Sequence, residues 1–142
     1  IFIGIQTAER IKKEIGSAYP LEKELKMEVH GRDIITGYPI TVEITSEEIR
    51  EALAESVTSM IDAVKRLFEK TAPELAADIA ERGLILTGGG AHLKGLDKKI
   101  QDTVDLPVHV MPEALICVLK GCGRVLDNME EYKEVLIKKV ED

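Results

Sequence analysis

One short stretch restricts the fold more than any other: an apolar run at 84–86 that leads, after Thr87, directly into Gly88, Gly89 and Gly90. A short apolar run that ends in glycines predicts a buried strand followed by a tight turn into a helix, which is typical of α/β proteins. Glycine also lets a ligand approach the backbone closely, and free N–H groups at such a turn favour a phosphate or a ribose. The same glycines fit a tight turn that binds nothing equally well. The stretch lacks the Gly-Lys-Ser/Thr of a P-loop and the spacing of the dinucleotide-binding fingerprint.

Apolar periodicity predicts the remaining elements, because a spacing of three and four is typical of helices and alternation is typical of strands. Thr7 is the expected N-cap of the first helix, and Thr45 with Glu48 forms a capping-box pattern before the longest one. The expected helices are 7–15, 46 to about 70, 73–82, about 93–100 and 114–126, and the expected strands lie within 25–45, at 84–87 and at 107–110. We therefore predict an α/β fold in three parts: residues 1–45, residues 46–126 and a charged helix or tail at 127–142.

The first predicted helix carries a polar face that admits two interpretations. Glu9 is three residues from Lys12 and four from Lys13, so these side chains share one face of the helix, with Arg10 beside them. A carboxylate there could accept hydrogen bonds from ribose hydroxyls while the lysines flank a base or phosphates. The residues alone favour an ordinary solvated face with ion pairs.

Composition excludes several classes of function. Asp and Glu total 26 against 19 Lys and Arg, a formal net charge of −7, which makes non-specific binding to nucleic acid improbable. No apolar run approaches the roughly 20 residues that a membrane-spanning helix needs. The absence of Trp, with only two Phe and three Tyr, also disfavours stacking platforms for bases. The chain starts at Ile1 without Met, which we interpret as a chain cut from a longer one.

The residues that could ligate a metal do not form a recognisable site. Cys117 and Cys122 lie five residues apart in a predicted helix, without the partners of a zinc site, and are expected to be small buried apolar side chains. His30, His92 and His109 have no Cys or carboxylate at a telling spacing. We predict no metal site. His92 remains a candidate ligand neighbour because it follows the glycines closely.

Several strings of the sequence resemble the MreB family of bacterial actins, from about Ile3 to Leu126. The strings that carry the resemblance are 7–12, 14–20, 31–33, 36–37, 50–53, 73–79, 81–83 and 86–91. The resemblance implies the C-terminal portion of an actin-like ATPase-fold lobe, with helices around a short mixed sheet and a small subdomain of a β-hairpin and a helix. In that family ATP, with Mg in the intact protein, lies in a cleft between two lobes. This chain would form the wall that faces adenosine.

The resemblance also implies which residues line that wall. A helix that holds the nucleoside in related chaperones matches Glu9, Arg10, Ile11, Lys12 and Lys13, with Glu9 and Lys12 as the expected ribose and base contacts. The glycine turn matches Gly88, Gly89, Gly90 and Ala91, followed by His92. The phosphate loops and the activating carboxylate of the family lie upstream of this chain, so we assign no catalytic residue.

The chain departs from the family pattern at four places, which are Ile5, His92, 112–116 and Cys122. These departures are compatible with a diverged paralogue.

The resemblance implies a cytoskeletal protein that binds ATP and polymerises into filaments controlling cell shape and wall synthesis. Its expected partners are further copies of itself and membrane-anchored morphogenesis proteins, without nucleic acid and without direct membrane contact by this lobe. The expected location is the cytoplasm, with the filaments associated with the membrane. Two alternatives stay open: a stand-alone truncated module that regulates filaments, and a fragment of a chaperone or sugar kinase of the same fold.

Overall fold

Five α-helices and four short strands form the chain in a computed structural model that describes residues 1–135. The helices are α1 (Ile5–Ile15), α2 (Ser46–Lys70), α3 (Pro73–Arg82), α4 (Leu96–Val104) and α5 (Cys117–Asp127). The strands are β1 (Lys26–Arg32), β2 (Pro39–Thr45), β3 (Leu84–Leu86) and β4 (Val108–Val110). Short 3-10 turns at Gly89–His92 and Lys133–Val135 complete the described elements. The predicted α/β fold class is confirmed.

The strands form two separate two-stranded sheets, and one of them is the expected β-hairpin. β1 and β2 pair antiparallel from Lys26 opposite Thr45 to Arg32 opposite Pro39, as a hairpin. β3 and β4 pair in parallel, with Leu84 opposite Val108, because α4 provides the crossover that parallel strands require. Antiparallel and parallel pairs are thus both present, each in its own half of the chain.

Helix α2 begins where the sequence predicts. The Glu48 amide donates to Thr45 Oγ1 at 3.3 Å, and the Thr45 amide donates to Glu48 Oε2 at 2.8 Å, so the capping box is complete. Helix α1 begins at Ile5 instead of after Thr7, which is not its N-cap. Gly4 takes that position, and its carbonyl accepts the amide of Ala8 at 3.0 Å.

Two further helix starts lie later than predicted. α4 begins at Leu96 because Gly95, with φ of 70°, adopts the left-handed conformation and separates the 3-10 turn from the helix. α5 begins at Cys117, after a series of turns at 112–116. Cys117 is half-buried and Cys122 is exposed, so the expectation of two buried cysteines is wrong for Cys122. The tail predicted at 127–142 lies partly outside the described residues.

The core consists of two clusters, and α2 contributes to both. The first contains Ile11, Ile15 and Val29, with Ile49 of α2 packed against it. The second is larger and contains Ala18, Val57, Ile61, Leu96, Ile100 and Val108. Together the clusters hold α1 and the hairpin against the first turns of α2, and the parallel strands with α4 against its middle. Among the helices of residues 1–135, none has both the length and the apolar character needed to cross a membrane.

Candidate functional site

The polar face of α1 is open to solvent, as an interacting surface must be. Glu9, Arg10, Lys12 and Lys13 are all exposed. The opposite face buries Ile11 and Ile15, each 4% exposed, in the first core cluster. This amphipathic division fixes the rotation of the helix about its axis. A shallow depression runs along the exposed side and is lined by Gln6, Glu9, Arg10, Lys13 and Glu14.

Glu9 is the negative charge among the cations of this face. Lys13 Nζ lies 2.9 Å from Glu9 Oε1. The hydrogen bond from Lys13 lowers the pKa of Glu9, and the charges of Lys13 and then Lys12 lower it further. Glu9 is therefore an ionised acceptor at neutral pH. Because this ion pair is exposed, solvent weakens it, and a ligand hydroxyl can compete with Lys13 for the carboxylate.

The glycine turn begins with a residue whose backbone requires glycine. Gly88 has φ of 84° and ψ of 173°, a conformation that strains any side-chain-bearing residue. Its amide donates to the carbonyl of Ala114 at 2.7 Å, and its carbonyl accepts the amide of Ala91 at 3.2 Å. These bonds hold the turn in place between the end of β3 and the segment before α5.

Gly89 and Gly90 are different, because neither has positive φ. A Cβ added at Gly90 would meet no atom within 4 Å, and one added at Gly89 would meet only Leu115 Cδ1 at 3.3 Å. Within residues 1–135 their amides donate no hydrogen bond to the protein, since they are the first two residues of the 3-10 turn. The turn therefore presents two N–H donors without a partner among the described residues, with open space at Gly90 and only Leu115 close to Gly89.

Two of the predicted site residues face the interior. The side chain of Ile11 packs in the first core cluster, and Ala91 is buried beneath the turn. Their side chains hold the two elements in place and are not available to a ligand. His92 is exposed next to the turn.

The structure joins α1 to the glycine turn through Lys94, a residue that the sequence analysis missed. Lys94 Nζ donates to the carbonyl of Lys13 at 3.1 Å and to that of Glu14 at 2.8 Å. No hydrogen bond in the described chain joins the side chains of Glu9, Arg10 or Lys12 to the turn. The two predicted parts of the site thus meet at the C-terminal end of α1, while the exposed face of α1 stays unobstructed.

A second missed group holds the segment that follows α1. Arg50 Nη1 donates to Ser17 Oγ and to the carbonyl of Tyr19, both at 3.0 Å, and Arg50 Nη2 contacts Glu24 Oε1 at 2.7 Å. Ser46 also donates to Glu24, and both Ser17 and Ser46 are fully buried. The hydrogen bond from Arg50, followed by that from Ser46, lowers the pKa of Glu24. This polar network anchors the linker between α1 and β1 to α2.

The described residues supply hydrogen-bonding groups rather than a cluster of metal ligands. Across residues 1–135, no three or more His, Cys, Asp or Glu side chains are grouped so that they could hold a metal ion. The arrangement can accept hydroxyl hydrogen bonds at Glu9 and donate amide hydrogen bonds at Gly89 and Gly90.

The sequence matches known proteins over nearly the whole chain. The sequence profile described as MreB/Mbl protein matches residues 1–134. The cell shape-determining protein Mbl of Bacillus subtilis is 42% identical over 131 residues, which is 92% of this chain and 39% of the relative. The cell shape-determining protein MreB of Escherichia coli is 46% identical over 130 residues, or 92% of this chain and 38% of the relative. The chain thus spans about two fifths of the length of these relatives.

Solved structures are similar as well. The crystal structure of MreB5 of Spiroplasma citri bound to ADP superposes with a TM-score of 0.89 at 39% identity, covering 94% of this chain and 41% of that one. The same protein bound to AMPPNP superposes with a TM-score of 0.88 and covers 94% and 40%. The expected actin-like fold is confirmed by these neighbours.

Proposed function

Because this chain belongs to the MreB/Mbl family, we propose that it is the C-terminal lobe of a cytoskeletal protein that binds ATP and forms filaments controlling bacterial cell shape. The observation that carries the proposal is the glycine turn, where two amides and an open approach face outward at Gly89 and Gly90. The similar structures of MreB5 are bound to ADP and to AMPPNP, which supports a nucleotide as the ligand. Family membership favours this function over a chaperone or a sugar kinase of the same fold.

We assign the nucleoside to the polar face of α1. The ionised carboxylate of Glu9 accepts hydrogen bonds from ribose hydroxyls, which are donors of the right kind for it. Lys12 lies on the other side of Glu9 from Lys13 and flanks the base, and Arg10 borders the same depression. The Glu9–Lys13 ion pair keeps the carboxylate charged before the ligand arrives.

We assign phosphate oxygens to the glycine turn. The amides of Gly89 and Gly90 donate to them, and the absence of side chains there allows close approach of the backbone. His92 is exposed at the far end of the turn and borders the same space. Bound ATP supplies a phosphoanhydride bond whose hydrolysis can change the state of a filament. This chain contributes no assigned base to that hydrolysis.

Magnesium is assigned to the intact protein and not to this chain. Carboxylate oxygens and substrate phosphates are the usual ligands of Mg²⁺. In the part of the chain that the structure describes, no group of three or more His, Cys, Asp or Glu side chains could hold the ion without the phosphates. The ion would therefore reach this lobe through the phosphates alone.

The proposal includes the partners and the location of the family. The chain associates with further copies of itself in filaments, and these filaments interact with membrane-anchored morphogenesis proteins at the inner face of the membrane. The lobe itself carries a net charge of −7, which opposes adhesion to an anionic lipid surface.

Isothermal titration calorimetry of the purified chain with adenosine and with Mg-ATP tests the binding site. We expect Glu9→Gln to weaken both ligands about ten-fold, because it removes a charged acceptor. We expect Gly90→Val to weaken ATP about ten-fold and adenosine much less, because it obstructs only the phosphates. The matched controls are Glu51→Gln on the exposed side of α2 and Gly121→Val, where an added Cβ also meets open space. Absence of binding by the unmodified chain, or equal binding by all variants, would contradict the proposal.

A chimeric protein tests the role in cell shape. The matching 130 residues of Escherichia coli MreB are replaced by this chain, and rod shape is scored in cells without their own MreB. We expect the unmodified chimera to restore rods and the chimera with Gly90→Val to leave cells round at equal expression. Round cells with a stable, unmodified chimera would count against the assignment.

A further inference from the structure

Lys94 contacts the C-terminal end of α1 with both its side chain and its main chain. Its ammonium group donates to the carbonyls of Lys13 and Glu14, at 3.1 and 2.8 Å. Its own carbonyl accepts the amide of Ala18 at 2.8 Å, and Ser17 pairs with Lys94 in an isolated parallel bridge. Between 76 and 81 residues of sequence separate Lys94 from these partners, so the contact is tertiary and not a local feature of the helix.

The chemistry of a helix terminus explains why a cation occupies this position. The last carbonyls of an α-helix have no partner within the helix, and they carry partial negative charge. The Gly16 amide satisfies the carbonyl of Lys12 at 3.1 Å, which leaves those of Lys13 and Glu14 for another donor. One ammonium group bonds both, and three donors on a flexible stem suit that task.

Lys94 is also tied closely to the glycine turn. The amide of Leu93, its neighbour, donates to the carbonyl of Gly90 at 3.1 Å, and the amide of Ala91 donates to that of Gly88. On the other side, a Cβ at Gly95 would lie 2.6 Å from Tyr19 Cβ, so the backbones pack closely there. A continuous set of short contacts therefore runs from Gly88 through Lys94 to the end of α1.

We propose that Lys94 is a positioning residue that holds the Glu9 face of α1 at a set distance and angle from the amides of Gly89 and Gly90. This inference rests on the proposed function, in which the nucleoside lies on α1 and the phosphates lie on the turn. A ligand that spans both parts needs their relative position to be held, whereas a ligand that touches only α1 does not. Lys94 acts through these two elements and needs no contact with the nucleotide.

The test compares ATP with adenosine in calorimetric titrations of the full chain. We expect Lys94→Met to weaken ATP about ten-fold, since small misplacements of binding groups are costly. Adenosine affinity should change by less than about two-fold, because α1 itself remains folded on its core. Lys94→Arg keeps a cation with several donors and should restore ATP affinity to within about two-fold. The control is Lys99→Met on α4, which removes an exposed charge without these contacts and should bind as the unmodified chain does.

The outcomes separate this inference from the proposed function. If the unmodified chain binds neither ligand, the proposed function fails and this inference fails with it. If the unmodified chain binds both, and Lys94→Met leaves ATP affinity unchanged or weakens both ligands equally, only the role of Lys94 is overturned.

Hydrogen exchange without ligand provides a second readout. Lys94→Met should accelerate exchange of the Ala18 amide by at least about five-fold while that of Val29 in the core stays protected. Unchanged exchange of Ala18 would also overturn the role of Lys94.

Discussion

Helices α1 and α5 have the same length, 11 residues, and both are amphipathic, yet only α1 has buried residues. α1 places Ile11 and Ile15 in a core cluster and is held at its end by Lys94. α5 has no buried residue, and its Leu119 is 72% exposed. Ile85 of β3 is exposed in the same half of the chain. The helix to which we assign the nucleoside is therefore the one with buried residues.

An amphipathic pattern specifies only part of how a helix packs. Apolar residues at helical spacing indicate that one face of a helix favours burial. They do not indicate which element covers it. For α1 the cover is the hairpin strand β1 and the start of α2, whereas among residues 1–135 no side chain of α5 is buried. Stability and binding should accordingly depend on α1 and hardly on α5.

The largest expected loss of stability comes from a substitution on the packed side of α1. Ile15→Ala should lower the free energy of unfolding by about 2–4 kcal/mol, because it leaves a cavity in the first core cluster. Ile5→Ala, on the same helix at 88% exposure, should change it by less than about 0.5 kcal/mol. Urea unfolding followed by circular dichroism measures both. Equal effects of the two substitutions would mean that α1 is not packed as described.

Disrupting the polar network that anchors the linker between α1 and β1 should lower the free energy of unfolding less than Ile15→Ala does. Arg50→Leu removes the donor to Ser17 and should cost about 2 kcal/mol, because a fully buried hydroxyl loses its partner. Arg66→Leu, an exposed arginine on the same helix, is the matched control and should be nearly neutral. Urea unfolding followed by circular dichroism measures the free energy of unfolding of both variants. An unchanged free energy of unfolding for Arg50→Leu would show that this network does not anchor the linker.

The pH dependence of stability tests the Glu24 part of this anchor. The pKa of Glu24 is lowered in the folded chain, mainly by the hydrogen bond from Arg50. Its contribution is therefore fully present above the ordinary value of about 4.3 and is lost as the pH falls through the lowered pKa. Between about pH 5 and pH 3, Glu24→Gln should lose less stability than the unmodified chain. A slope for Glu24→Gln parallel to that of the unmodified chain would refute this role.

The smallest change in the free energy of unfolding is expected for a substitution in α5. Leu119→Ser should change the free energy of unfolding by less than about 0.5 kcal/mol, because the side chain is already in water. Chemical denaturation at low protein concentration measures this without association. A loss as large as that of Ile15→Ala would show that α5 is packed after all, and the contrast between the two helices would disappear.

Local features of the fold could be predicted from the sequence, and tertiary ones could not. The capping box at Thr45, the hairpin, and the strand that ends at the glycines each depend on neighbouring residues, and each is present. The start of α4 was misplaced because the left-handed conformation of Gly95 depends on its packing against Tyr19.

The same distinction applies to the candidate site. Glu9 and the three glycines are visible in the sequence as a polar helical face and a turn motif. The resemblance implies Ile11 as a site residue because it lies within the matching stretch 9–13. Its spacing with Ile15, however, places it on the apolar face of the helix. Lys94 and Arg50 carry no local signal, because their partners lie 80 and 33 residues away along the chain. Only the folded chain reveals what holds the site together.

The central claim is that one nucleotide contacts α1 and the glycine turn at the same time. Titration of the ¹⁵N-labelled chain with Mg-ATP, followed by amide chemical shifts, tests it directly. We predict that the amides of 9–13 and of 88–92 shift together along one saturating curve. Shifts confined to another surface, such as the cleft lined by Tyr19, Leu25 and Lys98, or no shifts at saturating ATP, would contradict the claim.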